Sequence, residues 1–142
     1  CDSAGPGRQR GGLGVETRYL VGGADTQVVT FGDGDIEPAF GLSGGGNGTL
    51  NFIDLEYPDG TRYRATTKDH VKGVPAGTLY VQHAGGGGGH GPPHERPADV
   101  VAREVRDGIV SVEAARQHYG VAVDPKSFAL DIAETARMRG SP

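Results

Sequence analysis

Three histidines, His83, His90 and His94, lie close together, and imidazoles in such a group can ligate a transition metal or relay protons. His90 and His94 stand four apart, the spacing that shares a helix face, but Pro92 and Pro93 between them forbid that helix. With a single cysteine in the chain a structural zinc site lacks ligands, so these histidines are expected at a surface or interface and no metal is assigned. Asp33, Asp35 and Glu37 have the offsets of an opening calcium loop, yet the downstream bidentate Glu is missing. Lys68-Asp69-His70 resembles a fragment of an acid/base group. Neighbours on a strand point to opposite faces, which makes a charged edge or turn the simpler reading. The run Gly85 to Gly89 follows a predicted strand and invites a phosphate-cradle reading. No Lys-Ser/Thr follows, and no helix starts at the glycines, so close backbone packing, movement, or approach to a substrate or partner fits better. Cys1 has a thiol and an amine that could act as nucleophile and base; a processing or fragment boundary is the plainer alternative.

These residues need elements to position them. Leu13 to Val21 alternates with period two and reads as a strand, and Thr26 to Phe31 is β-branched enough to be its hairpin partner across Gly22-Gly23-Ala24-Asp25. Thr49 to Tyr57 sets Ile53, Leu55 and Tyr57 against Asp54 and Glu56, and Pro58-Asp59-Gly60 turns it into Thr61 to Ala65. Val74-Pro75-Ala76-Gly77 is another turn, before the β run Thr78 to His83. Beyond the prolines the period changes. Val101, Val105 and Ile109 mark a helix from Ala98 to about Gly108, and Ser111 caps a short helix from Val112 to His118, stopped by Gly120. Asp124-Pro125 predicts the start of a final helix running to about Arg139.

The 142 residues include 26 glycines and 9 prolines, and only 35% are hydrophobic, so any core is small and burial against a partner is expected. Most glycines precede Pro92, which divides the chain into a glycine-rich β part, 1–91, and a helical tail, 92–142. The predicted class is α+β: mostly antiparallel β with long glycine-rich loops, followed by a small C-terminal helical segment. A net charge of −4 gives no basic field for nucleic acid. No apolar run is long enough for a membrane helix, and without a disulfide framework a cytoplasmic location is expected.

Four stretches together resemble a known family: Asp2 to Gly14, Pro38 to Gly45, Gly85 to Pro97, and Val105 to Arg116 with Tyr119-Gly120-Val121. In that order they are similar to the carboxy-terminal part of the hydantoinase B/oxoprolinase family, which includes subunits of ATP-dependent cyclic-amide hydrolases and of acetone and acetophenone carboxylases. The resemblance implies a hydantoinase A-type partner that binds ATP and phosphorylates a carbonyl oxygen, after which the B-type part completes hydrolysis or carbon–carbon bond formation. Family metal and catalytic residues belong to a larger amino-terminal B-type portion, so none transfers to this chain. His90 and Pro92 stand where the family often has an aromatic residue and an aspartate, and Gly32 to Glu37 is acidic where the family is often basic, a lean toward the ketone carboxylases.

The expectation is a small subunit or C-terminal fragment of an ATP-dependent hydrolase opening a cyclic amide of the 5-oxoproline or hydantoin type. The alternatives are a subunit of a ketone carboxylase and a non-catalytic assembly module. ATP and a divalent metal are expected in the complex rather than on this chain alone, with a larger hydantoinase B-type chain and the A-type subunit as hetero-oligomeric partners. Ser43, Gly44, Gly45, Gly87, Gly88 and His90 are expected in loops that line a substrate channel or an interface.

Overall fold

The computed structural model describes residues 1–140. Six strands come first: β1 (Val15–Leu20), β2 (Thr26–Phe31), β3 (Phe52–Glu56), β4 (Arg62–Ala65), β5 (Lys68–Val74) and β6 (Leu79–Ala84). A 3-10 turn at Pro93–Glu95 leads to α1 (Ala98–Arg106) and α2 (Val112–Tyr119), then β7 (Ala122–Val123), β8 (Leu130–Asp131) and α3 (Ile132–Met138). Antiparallel sheets followed by helices make an α+β fold, as the sequence predicts.

The first two strands do not form the expected hairpin. β1 pairs with β6, and β2 pairs with β5 in a separate ribbon, so the four-stranded sheet has the order β1-β6-β3-β4. The reason lies at Val21, whose amide donates to the Thr78 carbonyl while its own carbonyl accepts from Gly77. Those bonds extend the β1–β6 ladder past its end and send the chain out of that sheet before β2 begins. Gly22-Gly23-Ala24-Asp25 is then a corner between sheets, with Asp25 in the left-handed region. The second predicted hairpin is present: β3 pairs β4, Asp59 Oδ1 accepts from the Thr61 amide, and Gly60 takes the left-handed position.

The helices carry the largest apolar cluster, built on Val101, Val105, Val110, Ala115, Tyr119 and Val121. Ser111 caps α2 by accepting from the Ala114 amide, and Gly120 ends it at φ 61. Ser111→Ala should therefore lower stability by about 1 kcal/mol in thermal or denaturant unfolding. The last helix begins later than predicted. Asp124 Oδ1 accepts from the amides of Lys126 and Ser127 and from the Ser127 hydroxyl, which closes a tight turn instead of capping a helix. Chain reversal through Phe128 forms the β7–β8 pair, and Asp131 caps α3. No helix among the described residues is long and apolar enough to cross a membrane.

Candidate functional site

Glycines from three distant parts of the sequence meet in one bundle of extended segments, with Gly85–His90 at its centre. Its neighbours are 3–7, 9–14 and 39–50. A Cβ added at Gly85 would run into the Thr49 carbonyl, at Gly86 into Ser3, at Gly88 into Phe40 and at Gly89 into Pro6, each closer than 3.0 Å. Gly87 faces Gly12, and the His90 amide bonds the Gln9 carbonyl. Contacts along the run thus rotate through three neighbours and repeat every third residue, as in an extended helix with three residues per turn. The sequence has no Gly-X-Y period, because in an unbroken glycine run every phase is already glycine.

Backbone bonds hold the bundle together. The Gly5 amide donates to Gly87 O at 2.9 Å, Gly87 to Gly12 O at 3.0 Å, Gly89 to Gly46 O at 2.9 Å and Gly46 to Pro6 O at 2.7 Å. Gly85 and Gly86 donate to Asn51 Oδ1 and Thr49 Oγ1. Most amides of the run are already engaged within the chain, so the run does not form a phosphate cradle.

The predicted site residues separate into two groups. Gly45, Gly87 and Gly88 are half-buried in this packing, where a Cβ at Gly45 would overlap Gly89 and one at Gly88 would overlap Phe40. Ser43, Gly44 and His90 are exposed at one end, and the pairing of Leu42 with His90 holds the 42–45 turn against the run. Ser43 there has φ 52, in the left-handed region. The other chemical candidates disperse. His83 stacks on Phe52 and its Nε2 lies 3.2 Å from Glu16, whereas His94 packs against Gly120. Lys68 reaches Asp33, Asp69 accepts from the Tyr63 hydroxyl, and His70 meets Gln27. Cys1 is exposed. Among the described residues, no three His, Cys, Asp or Glu side chains lie close enough together to hold a metal ion.

Two carboxylates are buried, although strand alternation sets Asp54 opposite the apolar face and Glu104 lies off the Val101, Val105 and Ile109 stripe. Asp54, on β3, is fully buried beneath Arg62 and Arg64, both of which donate to it, and Arg64 also lies over the Phe52 ring. Glu104, on α1, is only 11% exposed and accepts from Arg10 Nε at 2.9 Å and from Arg96 Nη2 at 2.8 Å. Arg96 also donates to the Arg8 carbonyl, so this cluster clamps the helices onto the glycine bundle. Arg10 lies 94 positions from Glu104, which no local pattern could reveal.

Burial raises the pKa of both carboxyls, but hydrogen bonds from the arginines outweigh it and hold each below the usual carboxylate range. A group depressed in the folded state stabilises the protein above its unfolded pKa, and that stabilisation is lost as pH falls toward the folded value. The melting temperature should therefore hold steady on acidification from neutrality and drop once pH enters the usual carboxylate range. A midpoint unchanged across that range would contradict these assignments.

The hydantoinase B/oxoprolinase family model matches residues 1–93, more than half of the chain. The chain belongs to the hydantoinase B/oxoprolinase family. It is 33% identical over 127 residues to caprolactamase subunit beta of Pseudomonas jessenii, covering 87% of this chain and 22% of that protein. An uncharacterized protein of Methanocaldococcus jannaschii is 29% identical over 141 residues, covering 98% of this chain and 24% of the relative. Among solved structures, the ATP-dependent caprolactamase of P. jessenii matches with a TM-score of 0.74 at 29% identity, over 99% of this chain and 24% of its own. A nucleotide-free acetone carboxylase gives a TM-score of 0.81 at 24% identity, over 99% of this chain and 23% of its own, which is a likeness of fold. This hydantoinase B/oxoprolinase family chain spans about a quarter of the length of the relatives it matches.

Proposed function

We propose that this chain is the carboxy-terminal part, or a separately encoded small subunit, of a hydantoinase B-like protein in a cytoplasmic, ATP-dependent hetero-oligomer that opens a cyclic amide. The observation that carries this reading is the 33% identity to a caprolactamase subunit across 87% of the chain. The substrate class is a lactam or cyclic imide of the 5-oxoproline or hydantoin type. The acetone carboxylase likeness bears on the fold and does not favour carboxylation. In this reading ATP and a divalent metal are held by the hydantoinase A-type subunit and the larger B-type portion. Residues 1–91 supply the glycine-rich β part and 92–142 the helical tail, of which Ser141 and Pro142 lie outside the described residues.

The chain's own contribution is support: a glycine bundle too tightly packed to be a mobile lining, presenting Ser43, Gly44 and His90 at its end. Its outer surface also asks for a partner. Phe31 is 91% exposed and Ile36 84%, and Phe40, Leu20 and Val29 also stand largely in solvent. In this reading the larger B-type portion covers these exposed side chains.

An assay of the assembled enzyme tests the reaction. With ATP, release of ADP should depend on 5-oxoproline, a hydantoin or caprolactam and should not require bicarbonate. Turnover that requires bicarbonate together with a ketone would replace this reading with a carboxylase.

A further inference from the structure

A cleft of about 250 Å³ lies at the seam between the glycine bundle and the helices, with Ala4 and Pro6 on one wall and Ile109, Val110 and Ala114 on the other. A cavity of about 150 Å³ is already enough for a benzene-sized molecule. Arg10 also lines this cleft and is only 18% exposed. Its Nε donates to Glu104 and its Nη1 to the Gly11 carbonyl, while its Nη2 has no partner among the described residues. Glu104 is shared with Arg96, itself 14% exposed, so two nearly buried guanidiniums face one carboxylate and one positive charge is left over. A buried surplus charge is costly unless a counter-charge meets it. Asn47 adds polar donors to the wall, because its Oδ1 is occupied by the Gly41 amide and its Nδ2 is left to donate. Asp2, the acidic side chain on this wall, is engaged through Oδ1 with the Ser111 amide.

We infer that this cleft binds a short aliphatic carboxylate, its carboxylate on Arg10 and its chain against Ala4, Pro6, Val110 and Ala114. A guanidinium edge matches a carboxylate in shape and charge, and Ala4, Pro6, Val110 and Ala114 offer an aliphatic chain apolar contact beside His118 and Asn47. An alkylamine offers Arg10 no acceptor and is repelled by its guanidinium. The binding does not depend on which reaction the assembly performs.

The test uses the full-length protein in its native assembly, without ATP. Crystals soaked in hexanoate should show the ligand in this cleft with its carboxylate on Arg10, and an empty cleft at saturating hexanoate overturns the proposal. Calorimetry should show saturable hexanoate binding that weakens at least tenfold in Ala114→Phe, which fills the cleft without touching the ion pairs. Ala4→Leu fills it from the opposite wall and serves where Ala114→Phe does not fold. Hexylamine should leave the cleft empty. Hexanoate binding that survives both fillings, or hexylamine in the cleft, would also overturn the proposal. Lactam turnover is assayed separately, so failure of the hydrolase reading leaves this result intact.

Discussion

Replacing Gly86 or Gly89 by alanine is expected to remove a large share of the stability of the fold. At Gly86 the new Cβ would sit within 3.0 Å of the Ser3 carbonyl and the Ala4 Cα, and at Gly89 within 3.0 Å of the carbonyls of Gly5 and Pro6. These are backbone atoms held by hydrogen bonds, and they cannot rotate aside as the end of a side chain can. Overpacking a core costs about 1–3 kcal/mol and occasionally more. Here the intrusion strikes main chain, so we expect about 3 kcal/mol or more, against a typical total of about 5–15 kcal/mol. The adjacent pair Gly11 and Gly12 provides an internal control. Gly11→Ala would collide with Gly87, while a Cβ at Gly12 meets nothing within 4 Å. Gly12→Ala should be neutral, or more stable by about 0.4–1 kcal/mol through reduced freedom of the unfolded chain. If both alanines behaved alike in denaturant unfolding, the glycines would be acting through composition and not through contact.

Glu104→Gln is expected to be the most damaging substitution outside the glycines. It leaves Arg10 and Arg96, 18% and 14% exposed, without the carboxylate that both share. Removing one partner from a buried ion pair costs about 3–5 kcal/mol, because the remaining charge stays desolvated. Since this cluster joins α1 to the segment around Arg8 and Arg10, the loss should fall on the docking of the helices. Limited proteolysis of the variant should cut first between Pro92 and Ala98, releasing the helical segment from the β part. A variant as stable as the parent and cut at the same places would show that the clamp is dispensable.

Where local chemistry decides an element, the sequence was legible. The β3–β4 hairpin follows from Pro58-Asp59-Gly60, and α2 from its Ser111 cap and the left-handed Gly120. The family was legible too, through four glycine-bearing stretches in order, three of which begin within the matched residues 1–93. Partner choice among strands was not, because β1 finds β6 across most of the β region and the corner at Gly22 to Asp25 carries a turn composition that fits either outcome. Burial of Asp54 and Glu104 was hidden for a related reason. Alternation and helix periodicity assign charged residues outward, and only distant or cross-strand arginines permit the reverse. The glycine bundle was the hardest to foresee. Glycine has no side chain whose periodicity could announce a contact, so a dense run reads equally as an open loop or as close packing.

Amide hydrogen exchange across Gly85–Gly91 in the assembled protein separates those two readings most directly. The amides of Gly87, Gly89 and Gly91 donate to Gly12, Gly46 and Leu42, and the bundle account predicts exchange as slow as that of β3 and β6, through cooperative unfolding. Exchange as fast as that of the corner at Gly22 and Gly23 would show a mobile loop and contradict it.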